Sequence, residues 1–433
     1  MPQKQNVSKQ EKKDQDHKNR IMKPMTDKEE QQSVCEHETD AQSVRESQTE
    51  IQQMNSYEKE LQRLADSGNL RDLPHLHPDG CRMHTSEGCL LNLSSNDYLG
   101  LGNRTDWHTE FLRSLKPEEC LFSSTSSRLL TGNYPIYDEV EQLLANLYER
   151  EAALFFSSGY HMNTGILPAL TDSRSLILAD KLVHASIIDG IRLSSARCIR
   201  YRHQDYRQLE QLLEKHQHDY DRIFIVTESI FSMDGDIAPL PLLVDLKKRY
   251  PNVLLYVDEA HAVGARGPRG LGIAEEQGCM ADIDLLCGTM GKALASMGAF
   301  VVCSHTLRRY LINKMRTLIF TTALPPIQMA WTRFVLLRLA ELDDRRRHLV
   351  RMSRTVQQAL TARGYSSPSE SHILPVIIGD SHEAILKAED MRRKGFYVLP
   401  VRPPTVPEGT SRLRLSLTAS LTEADVERLI QAL

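Results

Sequence analysis

The chain has 433 residues, with 53 Lys and Arg against 57 Asp and Glu. That length leaves room for two or three domains with real cores, and the slightly negative balance argues against a nucleic-acid-binding face. No apolar run is long enough for a membrane span, and the polar start lacks the apolar core of a secretion signal. The cysteines (Cys35, Cys81, Cys89, Cys120, Cys198, Cys279, Cys287, Cys303) are scattered with no C-x-x-C pair, which fits reduced thiols in a cytosol. Cys81 and His84 have ligand-like spacing, but no second pair follows, so no metal is expected.

Before Tyr57 there is no Phe, Trp, Tyr or Gly, while Lys, Glu, Gln, Asp and Ser dominate. Residues 1–55 bury too little apolar surface to offset the entropy of ordering and are expected to be a disordered polar tail. Met54 opens an amphipathic pattern and is the alternative start of the chain. Ser56 is placed to cap a helix running through Leu61 and Leu64 to Gly68. Leu91 and Leu93 alternate with Asn92 and Ser94, the period of a strand with one buried face, and lead into Ser95-Asn96-Asp97-Tyr98-Leu99-Gly100. Pro135 suits a first helical turn, and Val140, Leu143, Leu144 and Leu147 follow at helical spacing.

A strand-and-helix rhythm follows. Apolar runs recur at Ala152–Phe156, Ser175–Leu178, Ile223–Val226, Val253–Val257, Ile283–Cys287 and Ala299–Cys303, most of them separated by helix-length segments. Runs apolar throughout imply strands covered on both faces, hence an α/β fold with a mostly parallel sheet and functional groups at its strand ends. A long helical stretch is expected from Pro326 to Ala362, then strands near Ile373–Ile378 and Arg412–Leu417. In the last, Arg412, Arg414 and Ser416 form a polar face opposite Leu413, Leu415 and Leu417.

Several strand ends carry chemistry. Lys292, in Gly288-Thr289-Met290-Gly291-Lys292-Ala293, suits a nucleophile on a tight turn, though a glycine-flanked lysine is as readily a surface turn. It is no P-loop, because the glycine spacing and the following Ser/Thr are missing. Asp258 ends a strand in Val257-Asp258-Glu259-Ala260-His261. With Lys292 it suggests an aldehyde cofactor, the amine bonding the aldehyde and the acid keeping a ring nitrogen protonated. Taken alone, Asp258 reads better as a helix cap. Ser157-Ser158-Gly159-Tyr160 opens a helix after a strand and can hold a phosphate, with Thr289 close by, but such turns are commonly structural. His184 can cover a ring or cap its helix. Glu228 and Ser232 follow another strand and share the rim. Arg414 can fork onto a substrate carboxylate or face solvent on an edge strand.

Together, the motifs Ser94 to Gly100, Asp180 to Ser186, Thr227 to Gly235, Val257 to His261 and Gly288 to Ala293 resemble those of the α-oxoamine synthases, in the same order and from Tyr57 to the end. These are pyridoxal-phosphate enzymes of the aspartate aminotransferase fold (fold type I). The resemblance implies a mostly parallel central sheet flanked by helices plus a smaller C-terminal α/β domain. It implies a tail over 1–55, an N-terminal segment over 56–105, a cofactor-binding domain over 106–325, and a connecting helix with a small domain over 326–433.

By resemblance, Lys292 is the Schiff-base lysine, Asp258 the partner of the pyridine nitrogen, His184 the stacking residue and His261 the neighbour of the phenolic oxygen. Ser158, Gly159, Tyr160 and Thr289 match the phosphate cradle, and Ser232 a cofactor contact. Asn96 and Arg414 match residues holding the amino-acid carboxylate, Arg71 and Thr405 the thioester side. Thr321 and Thr322 fall where a second subunit reaches the phosphate, implying a homodimer; the expected location is the cytoplasm. The motif Arg402 to Arg414 resembles the branch that makes a biotin precursor from L-alanine and a pimeloyl thioester, of coenzyme A or a carrier protein. Glycine- or serine-dependent relatives are the first alternative, and a catalytically silent structural or regulatory member the second. The sequence departs from the family at Ser123 to Arg128, where the family is glycine-rich and serines adopt φ > 0 less freely, and at Ala262-Val263-Gly264.

Overall fold

The computed structural model describes residues 54–85 and 88–433. All but the last two residues of the tail expected over 1–55 lie outside the described residues. The chain divides after Leu70, and residues 71–433 form one compact unit. In the first unit, residues 54–66 are helical (α1). Ser56 therefore lies inside this helix and does not cap it. Gly68 ends it in the left-handed conformation (φ +65°), its N–H reaching the carbonyl of Ala65.

The second unit opens with β1 (His77–Asp79), β2 (Arg82–Thr85) and β3 (Gly88–Asn92). Leu90, Leu91, Asn92 and Leu93 are all buried, so this strand is covered on both sides and not on one face as its alternation predicts. Next come α2 (Thr105–Ser114) and α3 (Pro135–Leu147), which starts on Pro135 as expected and buries Val140 and Leu144. Then follow β4 (Ala152–Phe156), α4 (Gly159–Leu170), β5 (Ser175–Asp180), α5 (Ala185–Leu193), β6 (Arg197–Tyr201), α6 (Tyr206–His216), β7 (Arg222–Glu228), α7 (Leu240–Lys248) and β8 (Val253–Asp258). The short α8 (Ile273–Glu276) precedes β9 (Leu285–Thr289), β10 (Ala299–Cys303), α9 (His305–Lys314) and α10 (Arg316–Ile319).

Strands β4 to β10 form one sheet in the order β4-β10-β9-β8-β7-β5-β6. The run β9-β8-β7-β5-β6 is parallel, while β10 is antiparallel to both its neighbours. Alternate side chains enter two separate cores. Ala153, Phe155, Leu255 and Val257 pack on one face, and Leu154, Phe156, Tyr256 and Cys287 on the other. That double burial is why the runs are apolar throughout, and each large side chain removed from water contributes roughly 1.5–3 kcal/mol.

The chain continues with α11 (Pro326–Leu337), α12 (Asp343–Ala362), β11 (Ile373–Gly379), α13 (Ser381–Arg393), β12 (Phe396–Tyr397), β13 (Pro400–Val401), β14 (Ser411–Ser416) and α14 (Glu423–Ala432). The helix expected over 326–362 is broken by a 3-10 turn at Leu339–Leu342. Both terminal leucines of that turn are buried, and three-residue spacing aligns them on the tighter helix. β14 lies between β11 and β13, so it is not an edge strand. Its polar face is not solvated either: Arg412 is buried and paired with Asp234. Among the described residues no helix is long and apolar enough to cross a membrane.

Candidate functional site

The C-terminal ends of β5, β7, β8 and β9 deliver Asp180, Glu228, Asp258 and Thr289 to one rim of the sheet. Asp258 is buried, and it accepts hydrogen bonds from Asn163 Nδ2 at 2.8 Å and from the Ala260 N–H at 2.9 Å. Bonds of this kind to a charged acceptor contribute roughly 1.5–3 kcal/mol each. Asn163, on α4, also donates to Ser186 Oγ (2.9 Å), which lies 2.7 Å from His184 Nδ1. A polar chain thus joins Asp258 to His184, the N-cap of α5. Burial lowers the His184 pKa, with Asp258 opposing and Lys292 adding to the shift.

Lys292 follows β9 on a turn closed by the Met290 N–H to Gly298 carbonyl bond (2.9 Å) and the Ala295 N–H to Lys292 carbonyl bond (3.0 Å). Its Nζ lies 2.9 Å from His261 Nε2, and His261 Nδ1 lies 2.7 Å from the Tyr98 hydroxyl. Burial pushes the lysine down to about 8, against the opposing pull of Asp258. Burial, reinforced by Lys292 and Arg414, holds His261 well below its ordinary range. Gly264 lets the two loops meet: at φ +84° it leaves no room for a Cβ, which would lie 2.9 Å from Ala293 Cβ and Leu294 Cδ2. The departure at Ala262-Val263-Gly264 keeps the glycine that this approach needs.

Arg414 is fixed by four groups. It donates to the Ser232 carbonyl (2.6 Å), Ser416 Oγ (2.6 Å), Asn96 Oδ1 (3.4 Å) and the Tyr98 hydroxyl (3.3 Å). Asn96 Oδ1 also accepts from Tyr98 (3.0 Å). Asn96, Tyr98, Ser232, His261, Lys292 and Arg414 are therefore one connected cluster.

At the start of α4, Ser158 Oγ accepts from the His161 N–H (3.2 Å), so this side chain is its cap. The first-turn N–H groups of Gly159 and Tyr160 have no intrahelical acceptor. A Cβ on Gly159 would stand 3.8 Å from Thr289 Oγ1, so helix start and hydroxyl face one another. Tyr160 is half exposed, its hydroxyl donating to Asp189 Oδ2 at 2.7 Å. This arrangement fits pyridoxal phosphate: a helix N-terminus beside a hydroxyl for the phosphate, a half-buried amine of lowered pKa, and a buried carboxylate on the same rim.

Arg71 donates to Thr405 Oγ1 at 3.1 Å. Thr405 lines a cleft of about 980 Å³ together with Lys181, Val183, Phe231 and Arg412. Thr321 borders a small separate cleft with Ser157 and Arg128, and Thr322 is exposed; neither joins the Lys292 cluster within one chain. In the serine-rich loop Thr125 takes φ +51°, the conformation for which glycine is suited. Sequence reasoning missed Asn163, Ser186 and the Tyr98 side chain. Tyr98 stood inside a quoted motif, but Asn163 meets Asp258 from 95 positions away, which no local pattern records.

Residues 89–433 match the family Aminotransferase class I and II. The chain is 55% identical over 372 residues to a putative 8-amino-7-oxononanoate synthase of Glaesserella parasuis serovar 5 (strain SH0165), covering 86% of this chain and 98% of that one. It is 53% identical over 377 residues to the 8-amino-7-oxononanoate synthase of Haemophilus ducreyi (strain 35000HP / ATCC 700724), covering 86% and 97%. Among solved structures it is similar to serine palmitoyltransferase from S. paucimobilis with a bound PLP–myriocin aldimine, at TM-score 0.79 and 29% identity, covering 88% and 96%. With its sheet order, its strand-end lysine and its matched length, the chain belongs to the aminotransferase class I and II family, as an α-oxoamine synthase of fold type I.

Proposed function

We propose that the chain is an 8-amino-7-oxononanoate synthase, joining L-alanine to a pimeloyl thioester with loss of carbon dioxide. A bond forms between the alanine Cα and the acyl carbon, the carbon–sulfur bond breaks to release the carrier thiol, and the alanine carboxylate leaves as carbon dioxide. The observation that carries this reading is Lys292, a lysine whose pKa falls to about 8, in a chain 55% identical to a relative of that name.

Bound pyridoxal 5′-phosphate supplies an aldehyde for an amine and a protonated ring that draws electrons from the substrate carbon. Lys292 would hold the aldehyde and would be the group that takes the proton from the alanine Cα. Positioned proton transfer of this kind contributes ~10²–10⁴ in rate. Asp258 would keep the ring nitrogen protonated, and Asn163 and the Ala260 N–H orient its carboxylate. His184 would cover the ring and be placed to hydrogen-bond the new carbonyl oxygen. The α4 start (Ser158, Gly159, Tyr160) and Thr289 would receive the phosphate, Ser232 and His261 would border the ring, and Arg414 and Asn96 would receive the amino-acid carboxylate. Arg71 and Thr405 stand on the thioester side, beside the 980 Å³ cleft.

The working form in this reading is a cytoplasmic homodimer. The segments carrying Thr321, Thr322 and the serine-rich loop are joined by the Ser124 Oγ bond to the Ala323 carbonyl (2.6 Å). They leave Phe122, Leu130 and Phe320 more than two-thirds exposed, as a covering partner would explain.

The test is a screen of alanine, glycine and serine against acyl thioesters of both carrier types, read by mass spectrometry. An alanine–pimeloyl product is expected. A product only from glycine or serine refutes the substrate assignment, and no product with cofactor bound favours a silent subunit.

A further inference from the structure

Glu228 closes β7 and Asp258 closes β8, and the two are register partners on neighbouring parallel strands. Register partners project to the same face about 5 Å apart. Both are buried, Glu228 at 2% and Asp258 at 4% exposure. Two like charges that close, away from water, do not coexist; one group keeps its proton.

The hydrogen bonds decide which. Asp258 takes a donor on each oxygen, from Asn163 and from the Ala260 N–H. Glu228 Oε1 has no partner, and the His184 N–H acts on its carboxyl only as a lowering influence. The groups acting on Glu228 from the surrounding elements are Asp258 on β8, Asp180 at the end of β5, Lys292 beyond β9 and the His184 N–H at the start of α5. Two carboxylates thus oppose one amine. Burial and then Asp258 raise the Glu228 carboxyl well above its ordinary range, and Lys292 and the His184 N–H only partly offset them.

We propose that Glu228 is a positioning residue that stands in the site as a neutral acid, beside the Asp258 carboxylate and the start of the His184 helix. The inference rests on the reading above for its consequences in catalysis, because Asp258 and His184 are the groups through which Glu228 acts. It predicts that charge at position 228 is dispensable while the shape and hydrogen bonding of the side chain are not.

The experiment compares the wild type with Glu228→Gln and Glu228→Ala. Glu228→Ala lowers kcat at least about tenfold, and Glu228→Gln, the neutral isostere, recovers it to within about threefold of wild type. Cofactor absorbance against pH is superimposable for wild type and Glu228→Gln. Without cofactor, a group that holds its proton only when folded loses stability as pH rises. The Tm of Glu228→Gln minus that of wild type therefore grows as pH rises above the ordinary carboxylate range. The proposal is overturned if Glu228→Gln is as impaired as Glu228→Ala, fails to fold, shifts the absorbance profile, or shows a Tm difference that does not change with pH. Wild type that binds no cofactor sinks the functional reading instead, and the cofactor-free comparison still decides the state of Glu228.

Discussion

Lys292 Nζ stands 2.9 Å from His261 Nε2, and the other ring nitrogen of that histidine stands 2.7 Å from Tyr98. The protons of this row have one consistent direction when the lysine is charged. Lys292 donates to Nε2, Nδ1–H donates to the Tyr98 oxygen, and the Tyr98 hydroxyl donates to Asn96 Oδ1, an oxygen that only accepts. His261 is then neutral, which agrees with the depression of its pKa by burial and by Lys292. Tyr98→Phe strips the acceptor from His261 Nδ1–H and from Arg414, leaving buried donors unpaired. A loss of roughly 1–3 kcal/mol is expected in urea unfolding of the cofactor-free protein. No loss would show that the row is not formed.

Burial sets the reactivity of Lys292 itself. An amine bonds an aldehyde only when neutral, and this one becomes neutral near pH 8 rather than in the ordinary lysine range. The rate at which the cofactor-free protein takes up pyridoxal phosphate should rise with pH and level off near that value. If the lysine both holds the aldehyde and moves the proton, as proposed, Lys292→Ala gives no borohydride-stable adduct and a turnover loss beyond ~10²–10⁴. A midpoint in the ordinary lysine range, or full turnover in the variant, contradicts this assignment.

Arg414 offers a substrate less than its five donors imply. Nε is committed to the Ser232 carbonyl and one Nη1 bond to Ser416, while the contacts to Asn96 and Tyr98 are long, at 3.4 and 3.3 Å. A carboxylate would gain its fork by displacing those two long bonds. Arg414→Lys keeps the charge but reaches neither Ser232 nor Ser416 with the same plane. The KM for alanine should rise about tenfold or more, with a smaller change in kcat, as measured by steady-state kinetics. An unchanged KM would place the carboxylate elsewhere.

The sequence made the doubly covered sheet legible because both faces of β4, β7, β8 and β10 are apolar. β6 escaped notice for the opposite reason. It is the edge of the sheet, and Arg197 and Arg200 are exposed. The expected strand from Ile283 begins at Leu285, because the Met280–Asp282 turn still holds the Ile283 N–H through the Met280 carbonyl. At the site, residues at strand ends were legible singly: Lys292, Asp258, His184. Their mutual support was not. Asn163 is an ordinary helix residue in sequence, and only the packing of α4 on the sheet turns it toward Asp258. Arg412 read only as part of a polar face, because its partner, Asp234, sits 178 positions away.

The serine-rich loop carries a strain that can be measured. Thr125 is β-branched and left-handed at φ +51°, held by its N–H to Ser123 Oγ (3.1 Å) and by the Ser124 Oγ bonds to the Ser126 and Ala323 carbonyls. Left-handed backbone costs an ordinary residue roughly 1–2 kcal/mol, and glycine gives part of that back as unfolded-chain entropy. Thr125→Gly should therefore stabilise the protein by about 0.5–1 kcal/mol, read as a raised urea midpoint. Destabilisation would mean that the Thr125 side chain contributes more than its conformation costs.

His203 ties two rim segments together. Its Nδ1 lies 2.9 Å from Asp180 Oδ1 and its Nε2 lies 2.8 Å from Asp236 Oδ2, while Gln204, left-handed at φ +53°, adds its own N–H to Asp180 at 2.9 Å. Both ring nitrogens face carboxylates, so the ring is most stable as the imidazolium. Burial opposes that charge, but the two aspartates outweigh it and push the pKa up to about 10. A histidine whose pKa rises on folding stabilises the fold fully below its unfolded value near 6.5, and the contribution is lost as pH climbs to the folded value. Wild type should therefore lose stability relative to His203→Gln as pH rises through that window, with the largest gap at the acid end. Urea midpoints of the two proteins across the range provide the measurement, and a gap that is constant with pH would mean that His203 is neutral between its two aspartates.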